Sequence, residues 1–204
     1  LEKQSTDYYC AKRVVNMYFF DGKHHIVLQS YESKMEMRKA LSNCDSDVIL
    51  GENAEQQSAF YSVIIHLGWN GRHRFGMGLC LEGHGLKPHM LFQSDISQLL
   101  LGFNSEVVAV GIEDQQIHFR IWLDSLFKSF LVTENPQRIM ILHEIGLVAL
   151  DEHDDELWEE EEAIEDFEIT KNPLNMIFLD APPVSLNLVQ RIQEINQLSH
   201  PIFF

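Results

Sequence analysis

The chain has 204 residues, 45% of them apolar, which is enough to build the core of one large domain or of two small ones. Acidic side chains outnumber basic ones by 31 to 15, and the formal net charge of −16 argues against binding to nucleic acid or to anionic membranes. No apolar run approaches the roughly 20 residues of a membrane-spanning helix. The three cysteines lie far apart, which favours reduced thiols and a cytoplasmic protein.

Two β-hairpins are predicted in the first part of the chain. Residues 14–20 and 25–31 are rich in β-prone side chains. Asp21-Gly22 lies between them and favours a tight turn, in which both central residues have positive φ. An Asn-Gly pair predicts a second hairpin within residues 59–82, whose return strand is rich in glycine. Glycine within a strand usually marks a bulge or a close approach of another group.

A short helix is predicted near residues 33–42, since Ser33 can cap its first turn and Met37 and Leu41 lie on one face. A short packing helix is predicted at the end of the chain over residues 189–198, where apolar residues recur at helical spacing.

Residues 43–57 are polar and rich in turn-forming residues, and we expect a loop or linker there. We expect two parts, which can also form one continuous domain. Residues 1–87 make a hairpin-rich α+β part, and residues 88–204 make an acidic part built from β-repeats.

Residues 88–188 read as one β-rich unit of about 40 residues that occurs three times. Ala109-Val110 recurs as Ala149-Leu150 at a spacing of 40, and Phe119 recurs as Trp158 at a spacing of 39. The predicted strands are 90–92, 99–103, 107–110 and 117–119 in the first copy, 126–131, 139–142, 147–150 and 157–158 in the second, and 164–169, 176–179 and 184–188 in the third, whose fourth strand is degraded. The expected fold class is therefore mainly β (α+β), with antiparallel hairpins and about three blade-like four-stranded repeats.

The run from Gly146 to Asp151, followed by Glu156-Leu157-Trp158, resembles the blade repeats of the quinoprotein-like (PQQ-like) β-propellers. In those repeats a small residue opens a strand, an alternating run follows, and a Trp closes the blade. The resemblance implies blade-like sheet geometry over about half of the chain, and it implies no quinone cofactor. Three blades do not close a propeller, which typically has at least four, so either the first 87 residues complete the structure with other sheets or the repeats form an open stack. The other interpretation is an ordinary antiparallel meander, in which the similarity reflects common hairpin patterning.

The charge is distributed unevenly along the chain. Residues 1–90 hold ten basic and ten acidic side chains, whereas residues 91–204 hold five basic and twenty-one acidic ones. Twelve of these acids lie within residues 151–168, a stretch without Lys or Arg. Such a surface attracts a basic partner and speeds its association. The residues that we expect to contact this partner are Asp154, Asp155, Glu159 and Glu161.

The motifs of metal-binding and catalytic sites are missing from the sequence. His143 is followed by His153 ten residues on rather than four, which is not the HExxH zinc motif. The acidic run lacks the glycine of an EF-hand loop. No GxSxG elbow occurs, and Cys80 lies in an apolar strand as a small core residue would. We therefore expect no metal, no cofactor and no catalytic residue.

These features favour a non-enzymatic protein-interaction module. In size and charge the chain resembles acidic bacterial immunity proteins, which neutralise toxin domains. This resemblance implies an inhibitor that docks on a basic partner. The alternative is a small-ligand-binding protein or an enzyme that uses the Gly- and His-rich hairpin of residues 66–89. The pocket of that alternative would be lined by His66, Trp69, His73 and His89.

Overall fold

The computed structural model describes residues 15–20, 22–53, 56–68, 72–132 and 139–150, together with the strands at 156–161, 164–169, 174–178 and 184–186. The chain divides into two compact units, residues 1–83 and 84–204. The described residues form sixteen strands and one helix, so the prediction of a mainly β fold is confirmed. Among the described residues, no helix is long and apolar enough to cross a membrane.

The first unit is a five-stranded sheet with one helix. Its elements in chain order are β1 (Val15–Phe20), β2 (His25–Tyr31), α1 (Lys34–Leu41), β3 (Ser46–Leu50), β4 (Gln57–Leu67) and β5 (His73–Glu82). The order in the sheet is β1-β2-β4-β5-β3. All neighbours are antiparallel except β3, which runs parallel to β5. The two predicted hairpins are thus confirmed as β1–β2 and β4–β5.

The helix α1 begins and ends where the sequence predicts. The hydroxyl of Ser33 accepts a hydrogen bond from the backbone N–H of Glu36 at 3.2 Å, which satisfies one of the unpaired donors of the first turn. Met37 and Leu41 are both buried and share a core cluster with Cys80. The apolar face of the helix therefore covers the sheet. The helix predicted at residues 189–198 lies outside the described residues.

The expectation of a loop over residues 43–57 is wrong for Ser46–Leu50, which forms β3. This strand lies parallel to β5, with Val48 opposite Met77. A parallel pair cannot be joined by a tight hairpin, and here the connection from β3 to β5 contains β4. The strand forms because it pairs with β5, which is distant in sequence. Local polarity and turn residues carry no signal of this pairing, so they predicted a loop.

Two glycines of β5 make room for the helix. A Cβ atom at Gly76 would lie 2.7 Å from Leu41 Cδ2 and 2.9 Å from Cys44 Sγ. A Cβ atom at Gly78 would lie 2.9 Å from Leu41 Cδ1. The glycine-rich strand is therefore explained by close packing of α1 on the sheet, without a ligand.

The second unit contains three antiparallel sheets. The first sheet comprises β6 (His89–Gln93), β7 (Gln98–Phe103), β8 (Glu106–Gly111) and β9 (Ile117–Trp122). The second sheet comprises β10 (Phe127–Val132), β11 (Ile139–His143), β12 (Gly146–Leu150) and β13 (Glu156–Glu161). The third sheet comprises β14 (Ile164–Ile169), β15 (Leu174–Phe178) and β16 (Val184–Leu186). Strands that follow one another in the chain are neighbours in each sheet. The predicted strand layout of residues 88–188 is confirmed, with three strands described in the third copy.

The two four-stranded sheets share their register as well as their strand order. Ala109 lies opposite Phe119 in the first sheet, and Ala149 lies opposite Trp158 in the second. In both sheets the register shifts immediately after these alanines. A β-bulge at the same position in both copies is a feature that repeats with the sequence. Phe119 is half-buried against the core. The predicted burial of Trp158 lies outside the description, which for β13 covers the backbone alone.

The first two sheets pack against each other face to face. One buried cluster contains Val107, Phe127 and Ile141, and another contains Leu100 and Ile139, so each cluster draws residues from both sheets. The central strands β7, β8, β11 and β12 are buried along their entire length. Because both of their faces are covered, these strands are apolar in sequence except for Gln98, Glu106 and His143 at strand ends.

The segment of residues 123–127 ties the two sheets together. It runs from β9 into β10 and binds the β7–β8 turn on one side and the β11–β12 turn on the other. Four hydrogen bonds of 2.6 to 3.1 Å do this: Leu123 N–H to Ser105 O, Phe127 N–H to Asn104 O, Glu144 N–H to Leu126 O, and Ile145 N–H to Ser125 Oγ. The connector thereby fixes how the successive sheets stack.

Candidate functional site

Seven of the twelve acids in the acidic run lie on two consecutive edge strands of the second unit. β13 carries four of its twelve acids and β14 carries three. Each is a terminal strand in the described order of its sheet. Glu159 and Glu161 both lie on β13, where the backbone pairs with β12. Asp154 and Asp155 lie outside the described residues, so the common exposed surface of these four side chains stays a prediction.

The net charge is confined to one of the two units. Nine basic and ten acidic side chains give residues 1–83 a charge of −1. Six basic and twenty-one acidic side chains give residues 84–204 a charge of −15. A field of this size attracts cationic partners over distances of about a Debye length, and it is weakened by salt.

Three of the four residues of the predicted pocket belong to the first unit, and the structure describes two of them. His66 lies near the end of β4, where its ring is 6.3 Å from that of His25 on β2. His73 begins β5 and is 78% exposed, with Nδ1 3.7 Å from a carboxylate oxygen of Asp45. Trp69 lies outside the described residues. The pocket therefore stays a prediction.

The fourth pocket residue, His89, belongs to the second unit. The residue is exposed overall, but its ring packs edge-on against Phe127 at 5.7 Å, and this partial burial lowers the pKa of His89. Among the residues that the structure describes, no three His, Cys, Asp or Glu side chains come together as metal ligands do. His89 is thus placed as an aromatic neighbour of the core.

The half-buried Ser125 and the buried His143 form a pair that resembles a catalytic dyad only in composition. Ser125 Oγ lies 2.8 Å from His143 Nδ1 and accepts the backbone N–H of Ile145 at 3.1 Å. His143 is fully buried. A nucleophilic serine and its base must reach a substrate, which a buried histidine cannot do. The pair stabilises the β11–β12 turn.

Sequence reasoning predicted the strand at 117–119 but overlooked the surface that this strand, β9, presents at the edge of the first four-stranded sheet. His118, Arg120 and Trp122 are exposed along it, whereas Phe119 and Ile121 pack into the core. The side chain of Trp122 is 63% exposed, which is unusual for so large an apolar group. We refer to His118, Arg120 and Trp122 as the β9 strip.

His118 is held in place by hydrogen bonds to both of its ring nitrogens. Nδ1 lies 2.7 Å from Oε1 of Gln98, a buried side chain of β7, and Nε2 lies 2.9 Å from Oδ2 of Asp114. The hydrogen bond from His118, with another from the backbone of Gln116, lowers the pKa of Asp114. A Cβ atom at Gly111 would overlap both Asp114 and His118.

Arg120 is anchored by a buried carboxylate. Its Nε lies 2.9 Å from Oε1 of Glu106, which is only 2% exposed, although the N–H is not aligned for a hydrogen bond. Burial raises the pKa of Glu106, and Arg120 partly offsets this. The guanidinium carbon lies 5.7 Å from the ring centre of Trp122, within the range of a cation–π contact. Two buried polar residues, Gln98 and Glu106, thus fix exposed side chains of the β9 strip.

The β9 strip is not repeated in the second four-stranded sheet. By register, Arg120 corresponds to Glu159 and Trp122 corresponds to Glu161. The shared fold therefore does not require the strip. A signal for it exists in the sequence, because Gln98 and Glu106 are polar residues that open otherwise apolar runs.

No family model matches the chain, and no curated protein matches it. Among solved structures, the chain is similar to hydrazine synthase of Kuenenia stuttgartiensis, with a TM-score of 0.45 and 10% sequence identity. This likeness covers 71% of the present chain and 46% of the other, so the chain spans about half the length of that structure. A likeness this weak identifies neither a fold nor a function.

Proposed function

We propose that this chain is a non-enzymatic interaction module that docks on a basic protein through the acidic edge strands of its second unit. One observation carries the proposal: the second unit has a charge of −15 and the first has −1. Self-repulsion of so many acids costs folding stability, so a use for them is expected. Binding a cationic surface is the use that removes the repulsion.

The partner class that fits best is a basic toxin domain, and the role that fits best is that of an immunity-type inhibitor. A strongly acidic inhibitor steers a basic target towards itself, which raises the association rate by about 10- to 1,000-fold. Rapid capture matters for a protein that must neutralise a toxin before the toxin acts. The resemblance in size and charge to acidic bacterial immunity proteins supports this role.

The docking strands belong to sheets that we infer to be blade-like units of the quinoprotein type. The shared strand order of the two four-stranded sheets and the bulge at the same place in both support this inference. A blade presents its outermost strand at its rim. The acids of β13 would then lie at a rim, where a partner can reach them.

A reducing, cytoplasmic location agrees with the state of the described cysteines. Among the described residues, Cys44 and Cys80 form no disulfide bond. Burial raises the pKa of both, because it disfavours the thiolate, and this makes them less reactive. Unreactive thiols suit a compartment in which disulfides do not form.

The test is charge reversal of the four predicted contact residues. The quadruple variant Asp154→Lys, Asp155→Lys, Glu159→Lys and Glu161→Lys would be compared with the wild type in binding kinetics. The partner would first be captured from native lysate by the wild-type chain and identified by mass spectrometry. We expect the association rate to fall at least about tenfold, because steering depends on the local field. Dissociation should change less.

A matched control separates the acidic run from net charge alone. The control variant reverses four exposed acids elsewhere in the second unit, Asp95, Glu113, Asp124 and Glu144. Both variants change the net charge equally, so a larger rate loss in the first supports docking through the run. An equal loss of association rate in both variants would mean that the overall charge, and not the acidic run, causes the effect. An unchanged association rate in a folded quadruple variant would reject electrostatic docking through the acidic run.

A further inference from the structure

We propose that the β9 strip is a second binding surface, distinct from the acidic run, and that it takes an extended peptide segment bearing a carboxylate. The carboxylate pairs with Arg120, and an apolar side chain of the segment covers Trp122. This inference does not rest on the function proposed above, because the β9 strip would bind a negatively charged group whereas the acidic run would bind a basic protein. It is assembled from Gln98, Glu106 and the β9 strip, all within the second unit.

The position of β9 specifies an extended segment as the occupant. In the described order of its sheet, β9 pairs with β8 on one side and with no strand on the other. An edge strand offers backbone N–H and C=O groups to an added strand. His118 occupies the bulge, where the register shifts, and the regular part of the strand runs from Phe119 to Trp122. Arg120 and Trp122 therefore lie on the regular part.

The charge of the strand specifies a carboxylate. Ile117–Trp122 holds the permanently charged Arg120 and no acidic residue, although the unit around it has a charge of −15. The ion pair with Glu106 uses Nε of Arg120. The terminal nitrogens carry the other N–H donors of the guanidinium group, whose planar fork matches a carboxylate.

Protection of an exposed edge is the simplest alternative role for Arg120, since natural sheets place charges and bulges on edges to prevent aggregation. A protective charge works without a fixed orientation. Arg120 is instead held by a carboxylate that is 2% exposed, and burying a charged group is costly. Trp122, at 63% exposure, adds to the aggregation risk that protection would reduce. Fixed side chains lose little entropy on binding, which favours recognition.

The probe is an acetylated, amidated peptide of about six residues that alternates threonine and valine around one central glutamate; its counterpart has glutamine at the centre. Each would be titrated into the isotopically labelled full chain, with the Arg120 Nε and Trp122 indole N–H signals followed by NMR. We expect saturable shifts of both signals, with the glutamate peptide binding roughly fivefold more tightly, as for one partly exposed ion pair.

Variants assign the effect to the strip. The double variant Glu106→Gln/Arg120→Gln avoids a buried unpaired charge, and it should bind both peptides equally. Trp122→Ala is an exposed substitution that should preserve the fold and weaken both peptides. Arg74→Gln, an exposed arginine of the first unit, is the matched control and should leave the discrimination unchanged.

Three outcomes would overturn the proposal. The first is the absence of saturable shifts with millimolar peptide. The second is equal binding of the two peptides by the wild type. The third comes from sedimentation of the chain alone: concentration-dependent dimerisation that Trp122→Ala abolishes would make a second copy of the chain the occupant.

Discussion

The packing of Phe127 against Gly102 makes a sharp prediction about how the two four-stranded sheets are held together. Phe127 of β10 is 2% exposed, and its ring lies 4.8 Å from that of Phe130. A Cβ atom at Gly102 of β7 would overlap the ring of Phe127. The glycine and the aromatic ring therefore occupy one shared volume, and changes at the two positions should be strongly coupled.

The expected magnitudes follow from this shared volume. Phe127→Ala should lower the free energy of unfolding by about 3–5 kcal/mol, the range for truncating a buried aromatic. Gly102→Ala alone should cost about 1–3 kcal/mol, because the added methyl overpacks the contact. In the Phe127→Ala background the same methyl enters the cavity, so its cost should vanish or reverse. The coupling energy should exceed about 1 kcal/mol.

Urea unfolding of the two single variants and the double variant measures this coupling. Val132→Ala is a suitable control, since Val132 is 56% exposed at the other end of β10. Its effect should add to that of Gly102→Ala within about 0.5 kcal/mol. Additivity between Gly102→Ala and Phe127→Ala would refute the contact and, with it, the stacking of β10 on β7.

Three further predictions test other parts of the structure. The hydrogen bond from His118 lowers the pKa of Asp114, so the ionised Asp114 stabilises the fold above the ordinary aspartate pKa. This stabilisation is lost as the pH falls through the lowered pKa of Asp114. Urea titrations at stepped pH should therefore show the stabilities of the wild type and of Asp114→Asn converging in strong acid. Trp158→Ala should cost about 3–5 kcal/mol in the same assay, and a loss below about 1 kcal/mol would mean that Trp158 is a surface residue. Gly78→Ala should destabilise the first unit by about 1–3 kcal/mol, because its methyl would meet Leu41, and a neutral result would contradict the close packing of α1.

The strands and the helix were predictable because their signals are local. Asp21-Gly22 marks the first hairpin, and Ser33 is at the correct distance from Met37 and Leu41 to start a helix on a buried face. The spacing of 40 residues between Ala109 and Ala149 indicated that the strands of the two four-stranded sheets follow the same layout.

The elements that were missed depend on partners distant in the chain. Ser46–Leu50 becomes a strand only because β5 offers it a parallel edge. The β9 strip depends on Gln98 and Glu106, whose anchoring roles appear only when β7, β8 and β9 lie side by side. Within the acidic run, composition predicts a charged surface but cannot predict which carboxylates meet a partner.

The association rate of the wild-type chain with its captured partner, measured across ionic strength, tests docking through the acidic unit most directly. Exposed charges are screened beyond about 8 Å at physiological ionic strength and beyond about 3 Å at 1 M. We predict that the rate falls steeply as salt rises and converges with that of the quadruple charge-reversal variant at high salt. An association rate that is independent of ionic strength would contradict electrostatic docking by this protein.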